Sequence, residues 1–266
     1  MYEAFYEFTS TPFTRGIPPH ALFANEELDE ILMRLTYVAE RQLFAVVTGD
    51  CGTGKTTLLR RFQDSLDSRR YKFLYVSDSK LTPRNFYRAL LEQLGFEASY
   101  YRGEAKRQLH REIEIMKGVH NIHPICVCDE CHLMNREMLE EIRFLLNVKL
   151  DSVSPMGLIL VGQSELWEKL QLQSHAAIRQ RIDVQCKLNH FDRAGTGSYI
   201  RHQIKAAGCE REIFTDAAMD EVFKYSNGSA RLINKACTSS LMYGSQSKKR
   251  ILDDHALKLI IECELS

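Results

Sequence analysis

Residues Gly49-Asp50-Cys51-Gly52-Thr53-Gly54-Lys55-Thr56 satisfy the spacing G-x-x-x-x-G-K-[ST] between an apolar run, Phe44-Ala45-Val46-Val47-Thr48, and a helix-forming stretch, Thr57-Leu58-Leu59-Arg60-Arg61-Phe62. Strand, glycine-rich loop and helix in that order restrict the chain to α/β folds. Glycines let the backbone curl until successive N–H groups converge, and the loop opens onto a helix N-terminus whose dipole favours anions. Such a cradle fits the phosphates of ATP, with Gly49, Asp50, Cys51, Gly52, Thr53, Gly54, Lys55, Thr56 and Thr57 as the expected binding residues. Lys55 is expected to reach the β- and γ-phosphates, and the Thr56 hydroxyl to hold Mg²⁺.

A chain of 266 residues with 44% hydrophobic content can bury a full core. The N-terminal Met1-Tyr2-Glu3-Ala4-Phe5-Tyr6-Glu7-Phe8 lacks the basic-then-apolar pattern of a secretory signal, and no apolar run approaches the roughly 18 residues of a membrane span. The expected setting is cytoplasmic, with no membrane partner. Eight cysteines, several inside apolar runs, read as reduced small hydrophobes. Formal net charge is zero, which argues against a generally basic nucleic-acid binder. Between Arg60 and Arg111, however, twelve Lys/Arg stand against six Asp/Glu, so a local basic stripe is compatible with a neutral whole.

Periodicity divides the chain into a leader and helix (1–42), an α/β nucleotide-binding domain (43–190) and a helical lid (191–266). The leader reads as a Pro/Gly-containing extended stretch from Thr11-Pro12-Phe13 through Pro18-Pro19, followed by an amphipathic helix near 25–40. Further strands are expected at 73–76, 125–128, 157–161 and 184–188. Thr82 as N-cap, Pro83 at the first helical position and Gly95 as stop delimit one intervening helix, and a polar, basic helix near 104–117 and a further helix near 135–147 follow. Beyond the last strand the text is helical, over 194–207, 215–225, 230–243 and 253–264. Strands alternating with helices imply a parallel sheet, and an all-helical tail implies a small bundle.

The third strand, Ile125-Cys126-Val127-Cys128, ends in Asp129-Glu130. An acidic pair at that place suits a phosphate loop: Asp129 holds the Mg²⁺ hydration shell and Glu130 polarises the attacking water. Cys128-Asp129-Glu130-Cys131-His132 also fits C-x-x-C-H, a haem-attachment pattern. That reading needs export, for which there is no signal. Zinc would need a fourth ligand and thiolates converging from a loop, whereas Cys126 and Cys128 alternate within an apolar strand. Gln163, at the tip of the fourth strand, is a candidate to orient water or touch the γ-phosphate. Ile178-Arg179-Gln180-Arg181-Ile182 precedes the fifth strand, where ring-forming ATPases expose an arginine to a neighbour's nucleotide, and spacing leaves open whether Arg179 or Arg181 serves. Arg231 opens a lid helix and is placed to couple nucleotide state to the lid.

Together these stretches resemble the AAA+ ATPases, and among them the ExeA-like branch with its transposition relatives TniB/TnsC and the phage Mu B protein. The resemblance rests on Tyr6-Glu7-Phe8 with Pro12-Phe13, the phosphate loop running into Thr57-Leu58-Leu59-Arg60, Asp129-Glu130-Cys131-His132, Leu160-Val161-Gly162-Gln163-Ser164-Glu165-Leu166, Ile178–Ile182 and Gly228-Ser229-Ala230-Arg231-Leu232-Ile233-Asn234. It implies a five-stranded parallel sheet of order 5-1-4-3-2, a helical lid, Mg²⁺-ATP at subunit interfaces, and hexameric or helical self-assembly. One departure is Gly-Ser-Ala-Arg where the family's lid arginine usually follows Gly-x-Pro. Secretion members carry a membrane span and a peptidoglycan-binding module beyond the ATPase, and the sequence ending at Ser266 points instead toward transposition.

The function so implied is ATP-dependent assembly on duplex DNA, target marking and recruitment of a DDE-type transposase. The alternatives are a secretion-associated ATPase of the cell envelope and a replication-initiator-like ATP switch. Lys80, Arg84, Arg102, Lys106 and Arg107 are the expected DNA contacts, directed at phosphates and therefore sequence-neutral and salt-dependent.

Overall fold

The computed structural model describes residues 2–14, 16–78, 82–146 and 154–265; Lys80 lies outside them. In chain order the helices and strands are α1 (Tyr2–Tyr6), α2 (Glu26–Arg41), β1 (Phe44–Gly49), α3 (Lys55–Ser65), β2 (Tyr71–Val76), α4 (Pro83–Gln93), α5 (Arg102–Gly118), β3 (His123–Cys128), α6 (Arg136–Leu145) and β4 (Gly157–Gly162). They continue with α7 (Ser164–Gln171), α8 (Ala176–Arg179), β5 (Val184–Leu188), α9 (Arg193–Ala206), α10 (Asp216–Ser226), α11 (Ala230–Gln246) and α12 (Asp254–Ile260). The chain forms two compact units: Met1–Asn25, Asp50–Thr57 and Asn189–Ser266 in one, Glu26–Gly49 and Leu58–Leu188 in the other.

The second unit is built on a five-stranded sheet of order β2-β3-β4-β1-β5, the expected 5-1-4-3-2 read from the opposite edge. Every pairing is parallel. β1 and β4 are buried along their whole length, which is why their sequences are continuous apolar runs, whereas β2 and β5 at the edges alternate. Phe44, Val46, Leu74, Val76, Cys126, Cys128, Leu158 and Leu160 point to one face and share a core with Phe86 and Leu90 of α4, Leu109 and Ile113 of α5, and Leu139 and Ile142 of α6. The alternate residues Ala45, Val47, Ile125, Val127, Ile159 and Val161 are fully buried as well, and α2 packs against β1, β4 and β5. Each fully buried Leu, Ile or Phe contributes about 1.5–3 kcal/mol of transfer free energy.

Register fixes where chemistry can occur. Thr48 pairs with Gly162, Cys128 with Leu160 and Val76 with Cys128, so the carboxyl ends of the three central strands share one sheet edge. Binding residues of open parallel sheets gather at that edge.

The helical unit packs α9–α12 around Ile200, Ile204, Val222, Ile233, Leu241 and Leu257. The leader divides between the units. Its first 25 residues belong here because Tyr2, Tyr6 and Phe13 are buried in this core, Tyr6 Oη donates to Lys249 O (2.9 Å), and Glu7 pairs with Arg211 (2.7 Å) and Arg250 (3.1 Å). α1 lies ahead of the stretch read as extended; its five residues give no periodic signal, and packing supplies the stability that propensity lacks. α10 ends on Asn227 and Gly228, both at positive φ, and a Cβ on Gly228 would lie 1.8 Å from Phe191 O.

Candidate functional site

In the helical unit the glycine loop curls tightly around one carbonyl. Asp50 O accepts from Thr53 N–H (3.4 Å), Thr53 Oγ1 (3.0 Å) and Lys55 Nζ (2.9 Å). Gly52 (φ +87°) and Gly54 (φ +96°) occupy the left-handed region that side-chain-bearing residues avoid. Gly52 is constrained a second time: its carbonyl accepts from Ala230 N–H (3.0 Å), and an added Cβ would sit 2.2 Å from Ser229 Oγ. Arg231 Nη1 lies 3.2 Å from the exposed Cys51 Sγ. Loop and α11 are thereby joined within a single unit. Gly49 closes β1, while Lys55, Thr56 and Thr57 form the first turn of α3, with Thr56 exposed.

In the sheet unit, Asp129 and Glu130 follow β3 directly. Asp129 is buried, and both its carboxylate oxygens are engaged: Oδ1 accepts from Glu130 N–H (2.8 Å) and Oδ2 from Tyr75 Oη (2.8 Å). Burial, reinforced by that hydrogen bond and by the Asp129 charge, pushes the Tyr75 phenol well above its ordinary range, so it stays a donor. Glu130 has φ +53°, a left-handed conformation of the kind that clusters at functional sites, and its side chain is half exposed. Gln163 precedes α7, but its side chain makes no cap; its amide nitrogen lies 3.1 Å from His132 Nε2. Cys126 and Cys128 sit 3.7 Å apart, sulfur to sulfur, and the Cys131 thiol donates to Cys128 O (3.0 Å), so these thiols serve the core. Hydrogen bonding to Cys128, together with burial, pushes the Cys126 thiol up, and burial foremost does the same for Cys131.

The two arginines before β5 part company. Arg179 Nη1 donates to the carbonyls of Leu170 and Gln171 at the end of α7. Arg181 lines an open cavity of about 290 Å³ with Gln42, Phe44, Ser154 and Asp183. Asp183 Oδ2 accepts from Phe44 N–H (2.8 Å) at the first residue of β1. Arg181 therefore stands at the amino end of the sheet, roughly 17 Å along β1 from its carboxyl edge.

Basic residues of α4 and α5 also separate. Arg102 and Lys106 both pair with Glu141, whose side chain is 1% exposed and which also accepts from Tyr87 Oη. Burial acts to raise the Glu141 carboxyl, but the bonds from Tyr87, Arg102 and Lys106 outweigh it and hold the group below the usual range. Their charge is engaged in joining α5 to α6. Arg84 stacks on the exposed Tyr100 ring (4.2 Å), and Arg107 is exposed with no ion pair among the described residues. Tyr75, Tyr87 and Glu141 carry no motif, and only three-dimensional pairing reveals them.

A family model described as an AAA domain matches residues 38–170. Over 246 residues the chain is 27% identical to general secretion pathway protein A of Aeromonas hydrophila, covering 91% of this chain and 44% of that protein. The chain thus spans less than half the length of this curated relative. Among solved structures, the Aeropyrum pernix ORC1 protein in complex with DNA superposes with a TM-score of 0.69 at 15% identity, over 91% of this chain and 66% of that one. The Thermotoga maritima RuvB Holliday junction branch migration motor gives 0.63 at 16%, over 94% and 72%. At these identities the likeness to solved structures is one of fold.

Proposed function

This chain belongs to the AAA domain family, and from that premise we propose that it is a Mg²⁺-dependent ATPase that assembles with copies of itself on duplex DNA, for transposition target selection and recruitment of a DDE-type transposase. The catalytic part rests above all on the polar edge where Tyr75 holds Asp129, Glu130 is turned outward in a left-handed conformation, and Gln163 stands at the tip of β4.

Roles follow from residue chemistry. Backbone N–H groups of residues 50–56 bind phosphate oxygens, Lys55 exchanges the Asp50 carbonyl for the β- and γ-phosphates, and Glu130 takes a proton from water as its oxygen attacks the γ-phosphorus. The bond to the β–γ bridging oxygen breaks, leaving ADP and phosphate. The Thr56 hydroxyl and Asp129 carboxylate are hard oxygen donors suited to Mg²⁺, which neutralises phosphate charge when bound. Gln163 and Arg231 donate to the γ-phosphate. Arg181, displaced to the opposite end of the sheet from Glu130, suits a finger presented to a neighbouring subunit better than Arg179, whose guanidinium is held by its own chain. Arg84 and Arg107 are the better placed phosphate contacts, since Arg102 and Lys106 are engaged by Glu141. Lys80 remains a further proposed contact.

Electron microscopy with ATP, Mg²⁺ and random duplex DNA tests this reading, which expects rings or filaments. Monodisperse monomers under every nucleotide condition would defeat it. The 27% identity to general secretion pathway protein A favours a second reading, an ATPase of a secretion or envelope assembly system. That reading expects ATP hydrolysis indifferent to DNA.

A further inference from the structure

Between β3 and α6 lies one 3-10 turn, Cys131–Leu133, and the proposed reaction gives its central residue, His132, no task. The surroundings of His132 are specific. Lys169 Nζ donates to the carbonyls of His132 (2.5 Å) and Met134 (3.0 Å), which pins the turn to α7. Gly162 lets the tip of β4 approach, since a Cβ there would lie 3.1 Å from His132 N. The ring, 11% exposed, then stands between two of the residues assigned above: Nδ1 accepts from Gln163 N–H (3.4 Å) and lies 3.6 Å from Glu130 Oε2, and Nε2 faces the Gln163 amide nitrogen at 3.1 Å.

Donor and acceptor counting gives this arrangement a direction. A neutral imidazole has one N–H and one acceptor nitrogen. With Nδ1 accepting from the backbone, the proton sits on Nε2, and two N–H groups cannot face each other, so the Gln163 amide, placed with its nitrogen toward Nε2, must be turned over to bring its oxygen to the ring. The amide NH₂ is then turned away from the ring, as a pair of donors suited to phosphoryl oxygens. The opposite tautomer would draw the NH₂ to the ring and present the amide oxygen outward, against phosphate charge.

We infer that His132 is a positioning residue that fixes which face of the Gln163 amide meets the nucleotide. This rests on the ATPase reading above. The full chain, labelled with ¹⁵N-histidine, should show His132 as the Nε2–H tautomer in two-bond ¹⁵N–¹H spectra; the Nδ1–H tautomer overturns the inference. ATP turnover and binding by His132→Ala, Gln163→Ala and the double variant supply the second arm. Each single change should lower kcat about ten-fold with ATP affinity within two-fold, and the double variant should be no slower than the slower single. Losses that multiply, or a loss of affinity in place of kcat, also overturn it. Lys55→Ala separates the two levels: if the wild type fails to hydrolyse ATP, or Lys55→Ala hydrolyses it equally well, the ATPase reading fails, while the tautomer still decides the role of His132.

Discussion

Arg231 Nη1 stands 3.2 Å from Cys51 Sγ, so a side chain of the first turn of α11 touches the phosphate loop itself. If the loop binds nucleotide, ATP will cover Cys51. Alkylation by iodoacetamide, followed by mass spectrometry, should then be slowed by ATP at Cys51 and unchanged at Cys263, the other exposed thiol. Equal slowing or none at both sites would count against nucleotide binding at this loop. Arg231→Ala should lower ATP turnover by about ten-fold or more, measured by phosphate release.

Gly52 is held by backbone conformation and by contact at once. Gly52→Ala forces a methyl into the left-handed region and within 2.2 Å of Ser229 Oγ. The expected loss is about 1–3 kcal/mol in denaturant titration, together with weakened ATP binding. Gly103→Ala, at a position with open space around the added carbon and inside α5, should be neutral or slightly stabilising.

Glu130→Gln preserves size but removes the base. Phosphate release should fall by about 10²–10⁴-fold, while ATP binding, read by isothermal titration, stays near wild type. Lys55→Ala should lose binding as well.

Glu141 makes a prediction about pH. Its folded pKa is depressed, so its contribution to stability is complete above the ordinary carboxylate value near 4.3 and is lost as pH falls through the lower folded value. Glu141→Gln should reduce stability at pH 7 by roughly 1–3 kcal/mol and flatten the acid limb of the stability curve. Chemical denaturation at several pH values measures both.

Arg107 and Arg102 should behave differently despite lying on one helix. Arg107→Glu should weaken DNA binding and lower the steepness of its salt dependence, whereas Arg102→Ala should chiefly lower the melting temperature by unpairing Glu141. Fluorescence anisotropy across salt concentrations and a thermal melt distinguish the two. Equal effects of both substitutions on DNA affinity would remove the distinction.

Local rules made much of this legible in advance. The five strands, the glycine loop and the acidic pair after β3 announce themselves within windows of a few residues, through apolar runs, required backbone freedom and charge at a strand end. Thr82, Thr215 and Asp253 cap their helices by accepting from Asn85, Ala218 and Ala256, as short polar side chains at those places should. What escaped depends on partners far apart in the chain. Tyr75 and Asp129 are separated by 54 residues, as are Tyr87 and Glu141, and neither pairing leaves a periodic trace. The basic excess of 60–111 was countable, but counting could not show that Glu141 occupies two of its cations. Similarly, α1 owes its existence to a core assembled from residues more than 180 positions downstream.

The carbonyl of Gly52 is occupied by the N–H of Ala230, which makes the loop a strap buckled to the start of α11. Any ligand that tightens this strap must either carry that helix along or undo the buckle. Grip on a small anion would thus be converted into traction on a helix more than twenty ångströms long, without a relay of intermediate side chains.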